Sequence, residues 1–266
     1  MDFSIIIPVY NSIESLPILM DEINAYFRGS SYGYEVIFVN DASRDETKRV
    51  LDRIKHAACE ANVKVIHLSE NVGQQKALAY GLLEAVGTYA LTMDDDLQHD
   101  IRSLEHMMVC ALQGSDLTFG IYKEYGEKRS REIGSKVIGL FFKLRYRKLG
   151  DKQVSSLKLI HHSVYKKLTL PLKSFVYLSA ELVPYSKNIG NVHVKRRQRL
   201  YGKSGYTLLK CIQIGLKLTL YYGLMTQLWE GVGKYETHPN GRRGQLSDQC
   251  NQEDQGDGTL CNRSRL

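Results

Sequence analysis

Three consecutive aspartates, Asp94, Asp95 and Asp96, stand directly behind an apolar, strand-like run, Thr88 to Met93. Like charges repel and lose hydration when buried, so a fold gains no stability from three carboxylates at a strand end. At the carboxyl edge of an open α/β sheet, such a cluster lies where ligands bind. Side chains alternate along a strand, so the pattern predicts Asp94 and Asp96 on one side and Asp95 on the other. Two carboxylates facing one way suit a hard divalent cation, Mg²⁺ or Mn²⁺, with open positions left for phosphate oxygens. The alternative is a solvated acidic turn, or a helix N-cap leading into Ile101–Leu104.

The elements that must position these carboxylates are legible over the first 120 residues. Apolar strand runs at 3–9, 35–39, 63–68, 88–93 and 116–120 alternate with helical patterns at 12–27, 41–56, 74–86 and 101–112. Ser12 is a plausible N-cap for the first helix. Strands that are apolar throughout, alternating with helices, predict an α/β fold: a Rossmann-like, mostly parallel sheet with helices on both faces. Right-handed crossovers then gather the loops after the strands on one edge. Tyr10-Asn11, Asn40 to Ser43, Glu70 to Gly73 and the aspartates therefore line one crevice.

The chain has 266 residues, 43% of them hydrophobic, and a formal net charge of +7. That is enough for one substantial α/β domain and an appendage. Five scattered cysteines with no CxxC pair read as reduced thiols rather than a disulfide framework or a zinc site. No apolar run reaches transmembrane length, and the N-terminal run is too short for a signal peptide. The positive charge is concentrated in two blocks, Lys123–Lys152 and Lys187–Lys217. They suggest anionic partners or, more plainly, a solvated basic face. No helix-turn-helix, zinc finger or aromatic RNA-binding strand accompanies them, so a nucleic-acid partner is not expected. Helical patterns at 133–149 and 206–229 set Leu, Ile and Phe against Lys and Arg, as interfacial helices do; helices packed on the sheet have a similar makeup. Residues 230–266 are polar and Gly-rich, and read as a disordered tail.

Four segments taken in order resemble family 2 glycosyltransferases of GT-A fold. They are Ser4-Ile5-Ile6-Ile7-Pro8-Val9-Tyr10-Asn11, Val39 to Thr47, Asn71 to Gly81, and Met93-Asp94-Asp95-Asp96-Leu97-Gln98, which is similar to the family's DxD segment. Leu97-Gln98 and Arg199-Leu200-Tyr201-Gly202-Lys203-Ser204-Gly205-Tyr206 resemble the branch of dolichol-phosphate mannose synthase and the bacterial polyprenyl-phosphate glycosyltransferases. The likeness spans about residues 3–225 and implies a GT-A domain at 1–200, a membrane-proximal amphipathic region at 201–229 and the tail beyond.

The resemblance implies transfer of a sugar, with inversion, from a nucleotide-diphosphate sugar to a polyprenyl phosphate at the cytoplasmic membrane face. The alternative acceptor is a hydroxyl of a cell-surface glycan. Asp94 and Asp96 would hold Mg²⁺ or Mn²⁺ against the leaving diphosphate. Pro8, Tyr10, Asn11, Asp41, Asp94 and Gln98 would bind the nucleotide-sugar. Arg129, Arg131, Arg199 and Ser204 would bind the acceptor phosphate, and Asp151, which resembles an acidic position of the branch, would be catalytic together with Asp94 and Asp96. A hydroxyl acceptor needs a base, for which Glu181 is the candidate; a phosphate monoester is already ionised near neutral pH and needs cations instead. Docking would be peripheral, on an anionic membrane surface.

Overall fold

The computed structural model describes residues 1–58, 62–122, 138–169, 174–197 and 208–224. β1 (Phe3–Val9), β2 (Tyr34–Asn40), β3 (Asn62–His67), β4 (Tyr89–Thr92), β5 (Leu117–Tyr122), β6 (Lys158–His161) and β7 (Ile189–Val194) form one sheet in the order β3-β2-β1-β4-β6-β5-β7. The expected parallel sheet is present, with β1 pairing in parallel with both β2 and β4. β6 runs antiparallel between β4 and β5. Neither β6 nor β7 stands out in the sequence, because neither is an unbroken apolar run, Lys158-Leu159-Ile160-His161 and Ile189-Gly190-Asn191-Val192-His193-Val194, and the pairing partners are remote.

Every residue of β1 is buried, since both faces of the sheet are covered. Ile5, Ile7 and Val9 pack with Leu16, Leu19, Met20 and Ile23 of α1 (Ser15–Phe27), Val50 and Leu51 of α2 (Thr47–Ala57), and Leu104 and Met107 of α4 (Ser103–Leu112). Ile6 joins the opposite core with Ala77, Leu78 and Leu82 of α3 (Gln74–Leu83). That core also holds residues of helix α5 (138–145), α6 (His162–Tyr165), α7 (Leu178–Leu182) and α8 (Leu208–Leu218). Gly81 lets α3 lie close on the sheet: a Cβ there would sit 2.4 Å from Ile6 Cγ2.

Two expectations need correction. Ser12 does not cap α1, which begins at Ser15; its hydroxyl turns to Tyr10 O and Asp95 instead. The interfacial reading of 133–149 does not hold for Phe142, which is 2% exposed and packs against Tyr146 and Tyr177. The exposed large apolar side chains of α5 are Leu140 (58%) and Leu144 (74%), because the helix turns its aromatic side inward. Residues 230–266 lie outside the described residues.

Candidate active site

The strand order reverses at β1, whose two neighbours β2 and β4 lead off in opposite directions. The crevice beyond the carboxyl ends of β1 and β4 is thus a topological switch point, the place where open α/β sheets bind ligands. The loops that border it are laced together. Asn11 N donates to Ser43 Oγ at 3.0 Å, and Arg44 N donates to Asn11 Oδ1 at 2.9 Å. Asn11 takes a left-handed φ of 53° that an Asn tolerates readily. Asp41 is buried and accepts from Val72 N at 2.7 Å and Gly73 N at 2.9 Å. It fixes the turn into α3, where Gly73 sits at φ 86°.

The aspartates fan out because β4 ends at Thr92, two residues before them. The pleat therefore does not set their directions; local contacts do. Asp95 reaches across the switch point to Ser12 Oγ at 2.5 Å and Tyr10 N at 3.4 Å. Asp96 Oδ1 accepts from Gln98 N at 3.1 Å. Asp94 Oδ1 accepts from Gln74 Nε2, and Oδ2 accepts from Ser156 Oγ at 3.2 Å. His99, buried behind them, receives Asp94 N–H on Nδ1 at 3.1 Å and places Nε2 3.4 Å from Oδ2.

Burial above all, with the charges of Asp94 and Asp96, pushes the Asp95 carboxyl up to about 6, against the lowering pull of Ser12 and Tyr10. Burial pushes His99 down, outweighing the upward pull of Asp94 and Asp96. Lys158, fully buried on β6, is lowered to about 8 by burial while Asp94 opposes the shift.

Pro8 and Tyr10 lie at the end of β1, with Tyr10 exposed. Gln98 Oε1 accepts from Arg196 Nη2 at 3.0 Å, and the Arg196 guanidinium stacks 5.2 Å from the Tyr122 ring centroid. Arg197 holds Glu22 with two bonds of 2.7 and 2.8 Å and Asp100 with one of 3.1 Å, while Arg197 N donates to Gln98 O at 3.0 Å. The stretch leading to Arg199 and Ser204 is thereby tied to the loop after the aspartates. Arg129, Arg131, Arg199 and Ser204 themselves lie outside the described residues. Asp151 pairs with Lys143 at 3.1 Å on the surface, its side chain 96% exposed; from the same connection it is Ser156 that meets Asp94. Glu181 Oε1 accepts from Tyr222 OH at 2.6 Å.

Sequence reasoning did not select Gln74, His99, Ser156, Arg196 or Arg197. Gln74 lies inside a matched segment and His99 directly follows one, which is a usable signal. Ser156 lies 62 residues from Asp94 and carries none.

An open sheet with helices on both faces and an acidic triad at its switch point defines a GT-A glycosyltransferase domain. The solved structures similar to this chain have that fold. Mannosyl-3-phosphoglycerate synthase from Rubrobacter xylanophilus matches with TM-score 0.61 at 16% identity, covering 91% of this chain and 79% of that one. Glucosyl-3-phosphoglycerate synthase from Mycobacterium tuberculosis, solved with Mn²⁺, UDP and glucosyl-3-phosphoglycerate, matches with TM-score 0.57 at 16% identity, covering 89% and 81%. The family model described as glycosyl transferase family 2 matches residues 4–167, and the chain belongs to that family. Among curated proteins it is similar to an undecaprenyl-phosphate 4-deoxy-4-formamido-L-arabinose transferase of Pectobacterium carotovorum, 26% identical over 225 residues, which is 85% of this chain and 67% of that protein.

Proposed function

We propose that this glycosyltransferase moves a sugar from a nucleotide-diphosphate sugar to a polyprenyl phosphate, with inversion, at the cytoplasmic face of a membrane. The observation that carries the choice of acceptor is where the candidate bases are held. Asp151 is on the surface with Lys143, and Glu181 accepts the Tyr222 hydroxyl. A phosphate acceptor is already ionised and requires no base. The similarity to an undecaprenyl-phosphate sugar transferase supports the same acceptor class.

The residues fit a divalent cation. Asp94 and Asp96 both push the Asp95 carboxyl up, beneath the larger effect of burial, and a cation would relieve that part of the shift. Asp94 and Asp96 would hold Mg²⁺ or Mn²⁺; when bound, it supplies positive charge to the leaving diphosphate. Among the described residues no group of three His, Cys, Asp or Glu side chains is arranged to hold a metal ion. Gln74 and Ser156 hold the Asp94 carboxylate, one at each oxygen. Tyr10 and Asn11 would border the nucleotide, with Pro8 beneath them, while Asp41 shapes the neighbouring loop. Gln98, held by Arg196, would border the diphosphate. Arg129, Arg131, Arg199 and Ser204 would receive the acceptor phosphate.

Docking is peripheral in this proposal. Among the described residues no helix is long and apolar enough to cross a membrane. Ile212, Leu216 and Leu220 project from α8 and the turn after it at four-residue spacing, and all three are exposed, as are Leu140 and Leu144. Lys143, Arg147 and Lys217 add positive charge for anionic headgroups. The test is a panel of nucleotide-sugars assayed with undecaprenyl phosphate, with Mn²⁺ and with EDTA. Transfer to the lipid phosphate that stops in EDTA and returns with Mn²⁺ is the expected result. Full activity in excess EDTA refutes the metal assignment, and transfer only to a glycan hydroxyl refutes the acceptor.

A further inference from the structure

We propose that His99 is a positioning residue for Asp94: its ring and Ser156 complete a one-way circuit of hydrogen bonds that begins and ends on that aspartate. The inference rests on the reading that Asp94 is a metal ligand.

The direction of each bond follows from what each atom is able to do. Asp94 N–H can only donate, and it meets His99 Nδ1 at 3.1 Å. Nδ1 therefore carries no proton, and the ring proton is on Nε2. Nε2 faces Ser156 Oγ and Asp94 Oδ2, each at 3.4 Å. An ionised carboxylate only accepts, so Ser156 donates to Oδ2 across their 3.2 Å separation. The Ser156 lone pairs are then open to the proton on Nε2. The circuit runs from the Asp94 main chain to His99, on to Ser156 and back to the Asp94 side chain. Gln74 secures the other oxygen. Main chain and carboxylate of the same residue are thus set by one imidazole.

The ring is itself held fast. It is buried, its side chain 4% exposed, and lies 5.7 Å centroid to centroid from the Tyr122 ring. The loop returns His99 to Asp94 through Leu97, which adopts a left-handed φ of 60°. That conformation is costly for a leucine and persists where surrounding structure over-determines it. Here the surroundings include the antiparallel bridge between His99 and Arg196 and the bond from Arg197 N to Gln98 O. A histidine serving only to fill the core would not need both ring nitrogens directed at one aspartate. Groups that orient a ligand in this way typically change metal affinity about 10–100-fold when removed.

The experiment is a Mn²⁺ titration of the purified chain with saturating UDP, and in a second arm GDP, read from the electron paramagnetic resonance signal of free Mn²⁺. Urea unfolding of each variant runs in parallel. His99→Ala is expected to weaken Mn²⁺ binding about 10–100-fold. His99→Asn is expected to recover most of that loss, because its side-chain oxygen can accept Asp94 N–H where Nδ1 does. Ser156→Ala, which interrupts only the return branch, is expected to have a smaller effect. A folded His99→Ala that binds Mn²⁺ like wild type overturns the inference while leaving the metal reading intact. So does a folded His99→Asn that binds no better than His99→Ala. Should His99→Ala fail to fold, His99→Phe, which keeps ring volume without either nitrogen, takes its place: binding at least 10-fold weaker than His99→Asn supports the inference, and binding equal to His99→Asn overturns it. A wild-type chain that binds no Mn²⁺ with either nucleotide overturns the metal reading and this inference with it.

Discussion

Asp95→Asn should make the metal-free protein more stable at neutral pH. Asp95 is pushed from an ordinary 3.8 to about 6 by burial and by its neighbours Asp94 and Asp96. Its folded-state pKa lies above its unfolded one, so the folded protein binds more protons between about pH 4 and 6. Stability therefore falls as pH rises through that window, and the full cost is present above about pH 6. Two pKa units correspond to about 3 kcal/mol. Asparagine removes the charge, yet its oxygen can still accept from Ser12 Oγ and Tyr10 N, the two groups that meet Asp95 Oδ2. Relaxation around the charge reduces the expected gain to about 1–2 kcal/mol. The assay is urea unfolding of wild type and Asp95→Asn in EDTA at pH 7.5 and pH 4.5. The advantage of the variant should be clear at the higher pH and mostly gone at the lower one. A variant less stable than wild type at pH 7.5, or equally favoured at both values, would refute the argument that repulsion and burial dominate at this site.

Asp96→Asn keeps an acceptor for Gln98 N but loses the charge; transfer should fall about 10²–10³-fold, with unfolding in urea nearly unchanged, and an unaltered turnover number would contradict the metal role. Arg197→Gln breaks the pairs with Glu22 and Asp100. Being partly exposed, they should cost about 1 kcal/mol or less in stability, while the KM for undecaprenyl phosphate should rise more than the KM for donor; an equal rise in both would argue against an acceptor-side role. Leu144→Ser with Leu216→Ser should reduce co-sedimentation with phosphatidylglycerol vesicles and leave the melting temperature unchanged, since both residues are exposed; wild type left in the supernatant at low salt would end the peripheral docking proposal. Phe142→Ala is buried instead and should cost about 3–5 kcal/mol by urea unfolding.

The first half of the fold was legible because its signals are local. Ile5-Ile6-Ile7 is apolar on both sides, which only a strand covered on two faces requires, and β1 is buried at every position. Asn71 to Gly81 carries a matched motif within one short segment, and Asp94–Asp96 follow their strand directly. The crevice was therefore predictable as a meeting of loop ends. What the sequence could not convey is direction and distance. β6 runs antiparallel between β4 and β5, a choice made by pairing partners remote in the chain. Phe142 faces inward and Leu144 outward because α5 packs its aromatic side on the core, although both are apolar residues on one helix. The connection before β6 brings Ser156 to Asp94 and leaves Asp151 on the surface, five positions earlier, because only the residues entering the strand are drawn to the sheet's edge. The acids were written in the sequence; the groups that aim them come from separate elements, and only folding brings those within hydrogen-bond reach.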